Sequence, residues 1–147
     1  MTRFVSVNIF WKNNVLVCLR GNMDRNYKRV YSVGGKVESG ETPKQSAIRQ
    51  TFEEAGVVIQ ESDLRVFEND TIIRIIHYYV VFNEMPLVLG PKEDCKDGIR
   101  DSWIIAGVPT IRINGINTRW TFMDMCTLMQ NFDNRSYAYS KIYKKIL

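Results

Sequence analysis

Residues 34–57 read GGKVESGETPKQSAIRQTFEEAGV, and the reading of this stretch decides the fold. Thr42 is a favoured N-cap, Pro43 suits the first helical turn, and Gln45 completes a T-x-x-Q capping box. Gly56 supplies a residue able to take the left-handed conformation that ends a helix. These signals predict a helix from Pro43 to Ala55. Ile48, Phe52 and Ala55, at i, i+4 and i+7, are expected to pack on a sheet, with Arg49, Gln50, Glu53 and Glu54 on the opposite side. Positions 50, 53 and 54 are neighbours across one turn, about 5–6 Å apart at Cβ. Acidic groups held that close repel one another unless a cation sits among them. Hard oxygen ligands on a rigid helix suit Mg²⁺ or Mn²⁺, above all where substrate phosphates complete the shell. An acidic helix face is ordinarily just a solvated one. Here the doubled glycine, the turn VESGE and the exit Glu53-Glu54-x-Gly56 exceed what an amphipathic helix requires.

Outward from this helix, the flanking segments are strand-like. RFVSVNIF alternates well enough for a strand, KNN makes a turn, and VLVCLR returns as the second arm of a hairpin. After the polar loop GNMDRNYK, RVYSV forms a short strand running into Gly34 and Gly35. Beyond the helix, LRVFEND and TIIRIIHYYVVFNE are rich in β-branched and aromatic residues and read as two paired strands. WIIAGV, after a long polar loop, is expected to be a further strand. In RWTFMDMCTLMQNF, Phe122, Met125, Cys126 and Met129 recur at helical spacing, which predicts a second helix. The expected class is α+β, a mixed sheet with helices packed on its faces. With no repeat, low-complexity stretch or linker, residues 1–147 are expected to form one domain.

Composition narrows the function classes. Apolar residues make up 45% and charged residues 24% of the chain, ordinary for a soluble globular protein. No apolar run approaches the ~20 residues needed to cross a bilayer, and the N-terminus MTRFVSVNIF lacks the apolar core of a signal peptide. Cys18, Cys95 and Cys126 are odd in number and far apart, which argues for a reducing compartment, read as the cytoplasm. The net charge of +4 helps attract phosphorylated small molecules but falls short of the dense basic patch of a nucleic-acid binder. The basic tail YAYSKIYKKIL reads as the cap of a C-terminal helix.

Gly35, Glu41, Arg49, Glu53, Glu54, Gly56 and Val57 together resemble the Nudix box, G-x5-E-x7-R-E-U-x-E-E-x-G-U with U a bulky apolar residue. Glu38 and Gly40 also fit the usual loop wording. The resemblance covers residues 35–57 and implies an α/β/α sandwich with a mixed sheet. It implies cleavage of a nucleoside diphosphate linked to another moiety, by water attack at phosphorus. Carried onto this chain, Glu53 and Glu54 would bind Mg²⁺ or Mn²⁺, with Gly35 and Gln50 as further metal ligands. Glu41 and Arg49 would hold loop and helix in register by an ion pair, with Gly56 closing the helix. ADP-ribose-type or dinucleotide substrates rank first and modified nucleoside triphosphates second. A small nucleotide is favoured over a large RNA, unless a homodimer supplies a second wall.

The sequence departs from the pattern at three places. Val33 replaces a frequent proline, Thr51 occupies the apolar U position, and Gln50 replaces the first glutamate of R-E-U-x-E-E. An amide offers one oxygen to a metal but takes no proton at working pH, so Gln50 would inactivate or weaken the site. Three explanations stay open. The favoured one is an engineered glutamate-to-glutamine change; the others are a natural variant with another base and a natural non-catalytic nucleotide binder. The candidate catalytic residues are thus Gln50, Glu53, Arg49 and, from a loop across the sheet, Glu93 ahead of Glu84, Asp94 and Asp97. Arg20, Arg25 and Lys28, with Tyr27 and Arg29, are candidates to meet the phosphates or leaving group. Trp11, Trp103, Trp120, Tyr78 and Tyr79 are candidates to stack a base, although aromatics in strands are more often core. His77 is expected to be a hydrogen-bonded structural residue.

Overall fold

The computed structural model describes residues 2–19, 30–88, 112–113, 116–117, 120–126 and 128. Chain order runs β1 (Phe4–Trp11), β2 (Asn14–Leu19), β3 (Val30–Tyr31), β4 (Val33–Lys36), α1 (Pro43–Ala55), a 3₁₀ turn (Glu61–Asp63), β5 (Arg65–Asp70) and β6 (Ile75–Phe82). Three short strands follow: β7 (Arg112–Ile113), β8 (Ile116–Asn117) and β9 (Trp120–Asp124). Among the described residues seven strands join one mixed sheet and β7 pairs with β8 separately. The class expected from the sequence, α+β with a mixed sheet, is the one observed.

β1 is the spine of the sheet. It pairs in parallel with β6 along its whole length, Phe4 against Ile75 through Trp11 against Phe82. Its other edge is shared. β2 meets it only beside the hairpin turn, Phe10 against Val15 and Trp11 against Asn14. The two strands then part, and residues 30–36 fill the gap, β3 pairing with β2 and β4 with the first half of β1. β5 closes the far side by antiparallel pairing with β6, with a bulge between Val66 and Glu68.

The alternation of β1 explains the layers. Val5, Val7 and Ile9 are buried with Val33, Ala47, Ala55, Val57, Tyr78 and Val80 in the core beneath α1. Asn8 and Phe10, which a strand's period of two sends to the other face, are buried completely as well. Val15, Val17, Met123 and Met125 are also buried. A spine strand with both faces out of water is what a sheet covered on both sides requires.

The helix begins and ends where the sequence places it. Thr42 accepts from the Gln45 N–H at 3.1 Å, the Gln45 side chain accepts from the Thr42 N–H at 2.9 Å, and Gly56 takes φ 66°. Its packing face differs from the expected one. Ser46, Ala47, Thr51 and Ala55 are buried, whereas Ile48 and Phe52 are only partly so. The side chains at 47, 51 and 55 are small because the helix lies close on the glycine-bearing strand β4, and larger ones would push it away. Thr51, one of the departures from the motif, is fully buried with its hydroxyl donating to the Ala47 carbonyl at 2.7 Å. That internal bond removes the cost of an unpaired hydroxyl in the core.

The segment from Trp120 corrects the sequence reading. Residues 120–124 form β9, antiparallel to β2 from Asn14 against Asp124 to Cys18 against Trp120. Helical conformation starts only at Met125, and Met125 is buried while Cys126 is exposed. The apolar spacing mimics a helix face, but the free edge of β2 offers Trp, Thr and Phe a ladder that suits their β preference. The other expected strand, WIIAGV, lies outside the described residues.

Replacing Thr42 with alanine removes the cap oxygen and should cost about 1 kcal/mol of stability. Urea unfolding of the two proteins measures it, and equal midpoints would show that the cap contributes nothing.

Candidate functional site

The site is assembled on the outer edge of β4, where its backbone is not taken up by β1. α1 lies alongside, so its side chains reach the strand's unused donors and acceptors. Arg49 is the hub. Its Nε donates to Glu41 Oε2 at 3.1 Å and one Nη to Glu41 Oε1 at 2.8 Å, a two-point pairing of guanidinium and carboxylate. The same Nη donates to the Lys36 carbonyl at 3.1 Å, and the other Nη to Glu53 Oε2 at 3.2 Å. Glu38 lies 3.7 Å away. One side chain therefore ties the loop, the end of β4 and the acidic turn of the helix together.

Glu41 is held as firmly from the other side. Its Oε1 accepts the Glu38 N–H at 2.8 Å. The Arg49 hydrogen bonds, helped by that N–H, bring its carboxyl down to about 2, well below the ordinary 4.5. Arg49 is shifted upward by the same partner.

The last glutamate of the motif faces the strand, Glu54 Oε2 accepting the Gly34 N–H at 3.1 Å. Gln50 lies over Gly35. A Cβ on Gly35 would overlap the Gln50 amide group and displace that flexible side chain from its place. The Gln50 Nε2 reaches the Lys36 carbonyl at 3.5 Å, and the Ser46 hydroxyl reaches it at 3.4 Å. Three side chains thus converge on a single backbone oxygen.

Of the residues singled out in the sequence, Gly35, Glu41, Arg49, Gln50, Glu53, Glu54 and Gly56 are gathered on α1 and its two flanks. Arg20, Arg25, Lys28, Tyr27, Arg29, Glu93, Asp94, Asp97 and Trp103 lie outside the described residues. Glu84 is exposed beyond β6. Two of the candidate aromatics are core: Tyr78 is buried under α1 with Trp120. Trp11 meets Phe122 edge to face with centroids 5.8 Å apart, and Lys12 lies over the Trp11 ring. His77 is buried with Nδ1 2.6 Å from the Ser6 hydroxyl, and burial pushes its pKa down. The sequence did not single out the Gly34 N–H or the Lys36 carbonyl. Both are main-chain groups that no side-chain pattern encodes.

Among the described residues no three His, Cys, Asp or Glu side chains converge as a metal centre. Glu53 and Glu54 supply two carboxylates, held by Arg49 and by the Gly34 N–H, and Gln50 one turn earlier on α1 supplies a neutral amide oxygen. An all-oxygen set with two carboxylates fits Mg²⁺ or Mn²⁺, which keep several waters and draw further ligands from substrate phosphates.

Comparisons with known proteins identify the family and the fold. The NUDIX domain family model matches residues 2–103. The chain belongs to the Nudix family. The T. brucei MERS1 protein in its apo form is similar in fold at 16% identity, TM-score 0.63, with 88% of this chain and 60% of that one covered. MERS1 has also been solved with RNA and with GDP. This chain spans between about half and 60% of the length of those MERS1 chains. The NUDIX domain of Shewanella oneidensis NrtR, complexed with ADP ribose, matches at 10% identity and TM-score 0.61, covering 98% and 87% of the two chains. A NUDIX-family hydrolase from Clostridium perfringens matches at 17% identity and TM-score 0.55, with 98% and 96% covered. These likenesses show a shared fold. No curated protein sequence matches the chain.

The Glu41 shift sets a pH dependence. Its folded pKa lies below the unfolded value, so its contribution to stability is complete above about pH 4.5 and is lost as pH falls toward about 2. Glu41→Gln should therefore be less stable than the parent at pH 7, with the difference narrowing between pH 4.5 and pH 3. Urea midpoints at pH 7, 4 and 3 measure it, and a constant difference would show that the shift is not realised.

Proposed function

We propose that this Nudix domain is built to hydrolyse the pyrophosphate linkage of a nucleoside diphosphate joined to another moiety, and that Gln50 holds it at low activity. ADP-ribose-type and dinucleotide substrates come first. The ADP ribose bound to the NUDIX domain of NrtR supports that order, with modified nucleoside triphosphates second.

The observation that carries the reading is the placement of Gln50, seated on Gly35 with its amide directed at the Lys36 carbonyl. A glutamate of the same shape in that seat would face a carbonyl oxygen with a negative charge. That pairing is repulsive, offset in part by the Arg49 guanidinium that donates to the same oxygen at 3.1 Å, and a bound cation would offset the rest. The amide turns that repulsion into a weak attraction, a donor at 3.5 Å from the oxygen. Its neutrality also leaves position 50 without a proton acceptor.

Glu53 and Glu54 are the residues that would hold a divalent ion, with Gln50 or the backbone beside Gly35 adding neutral oxygens. Such an ion, when bound, neutralises pyrophosphate charge and lowers the pKa of an attacking water. Arg49 is a positioning residue, because its donors are spent on Glu41, Glu53 and Lys36. In hydrolysis the water oxygen bonds to phosphorus, the bridging oxygen leaves with the second phosphate, and the water's proton passes to a base. Glu93 is the candidate base once position 50 is an amide.

The test compares this chain with Gln50→Glu on ADP-ribose, NAD, FAD, diadenosine polyphosphates and nucleoside triphosphates, with Mg²⁺ or Mn²⁺. Glutamate should raise product formation about 10²–10⁴-fold, the range of a general base. Gln50→Glu should also melt lower than the parent in EDTA and recover when Mn²⁺ is added. Equal turnover by both proteins would overturn the role given to Gln50. Nucleotide binding with no product from either would overturn the enzyme reading in favour of a non-catalytic binder.

A further inference from the structure

A cavity of about 520 Å³ opens at the start of β1, lined by Arg3, Asn69, Asp70, Thr71, Arg74 and Ile76. It lies on the β6 side of β1, whereas the Glu53–Glu54 turn lies beyond the β4 edge, so the spine strand separates the two. We propose that this cavity is a second site, one that takes the phosphoryl group of a small phosphomonoester between Arg3 and Arg74.

The backbone fixes both arginines. The Arg3 carbonyl accepts the Val37 N–H at 2.9 Å, and the Arg74 carbonyl accepts the Phe4 N–H at 2.9 Å. Arg74 closes the β5–β6 turn at φ 57°, a left-handed conformation that a β-carbon disfavours. Neither guanidinium has a hydrogen bond or ion pair among the described residues, although both line the same concavity. The Asn69 amide and the Thr71 hydroxyl, which add donors to the wall, have no partner there either. Asp70 is the one acid in the lining. Its Oδ1 is engaged by the N–H groups of Ile72 and Ile73 at 3.0 and 3.1 Å, and it makes no ion pair with either arginine among the described residues.

Two cations, one acid and two neutral donors leave the cavity with one net positive charge and an excess of N–H and O–H groups. Such a donor set recognises a phosphate oxygen cluster, which only accepts. The volume exceeds that of a bare phosphate and falls in the range of small-molecule sites. Ile76 gives the organic part of the ligand an apolar wall. A phosphomonoester satisfies charge, donors and volume together; inorganic phosphate would leave most of the space to water.

The experiment is calorimetric titration of the full chain with AMP and with adenosine, in low salt with EDTA so that divalent metal plays no part. AMP should bind and adenosine should not. Arg3→Ala and Arg74→Gly should each weaken AMP binding about tenfold or more, the loss of a charge-assisted contact. Glycine is at ease at φ 57°, so Arg74→Gly should melt no lower than the parent and separate lost binding from lost folding. Should that variant nonetheless unfold, the exposed Arg3 side chain carries the test alone. Absence of AMP binding, equal binding of adenosine, or unchanged affinity in the folded variants would each overturn the proposal. Binding in EDTA is independent of catalysis, so failure here leaves the hydrolase reading standing, and failure there leaves this one.

Discussion

The Arg49 guanidinium distributes its donors over three parts of the chain, the loop before α1, the end of β4 and the acidic turn of the helix. It grips the Glu41 carboxylate at two points, the main-chain oxygen of Lys36, and the Glu53 carboxylate one helical turn onward. The loop of six residues between β4 and α1 is tied at its start by the Val37 N–H to the Arg3 carbonyl and at its end by the capping box, and Arg49 fixes the turn between Glu38 and Glu41 that lies between them. A lysine could not replace this arrangement, since a point charge lacks the fork that meets a carboxylate bidentately. The pairing is partly solvated, so its value is in geometry more than in free energy. It decides where the helix acids stand relative to the open edge of β4.

That edge matters because the site is made largely of main chain. β4 spends one side on β1, and what remains is a Gly34 donor and a Lys36 acceptor facing the helix. Small residues on α1 let the helix come close enough to use them. Ala47, Thr51 and Ala55 lie against the sheet, and Gly34 fits because a Cβ there would stand 2.9 Å from the Val5 carbonyl oxygen. Helix packing and site chemistry are therefore one constraint. A bulkier residue at 47 or 51 would lift the acids off the strand without touching any of them.

The sequence is legible where the information is local. The capping box, the proline at the helix start and the left-handed Gly56 bound α1 to the residue, and the Nudix box assigns the family from seven matching positions in register over residues 35–57. The hairpin of β1 and β2 and the pairing of β5 with β6 follow from turn chemistry and β-branched runs. Legibility fails where tertiary contact overrides a period. Residues 120–124 carry helix-like spacing but are claimed by the edge of β2, and the helix's buried face shifts from Ile48 and Phe52 to the smaller residues beside a glycine strand. Arg74 carries one local signal, a charged residue in the apolar run TIIRIIH. Nothing in the sequence could show that a turn and the parallel pairing of β1 with β6 bring it beside Arg3.

Gln50 joins the two halves of this picture. Glutamine and glutamate share a shape, so the close seat on Gly35 accepts either with the same packing, and the exchange alters charge and donor pattern alone. The amide adds a long contact to a Lys36 carbonyl that Arg49 already satisfies at 3.1 Å, where a carboxylate would add a repulsion instead. A fold held by Arg49, Glu41 and the small-residue face of α1 does not require charge at position 50. The chemistry expected of the family does. Structural demands therefore leave the charge at this one side chain free to vary, and exchanging amide for carboxylate there alters chemistry rather than packing.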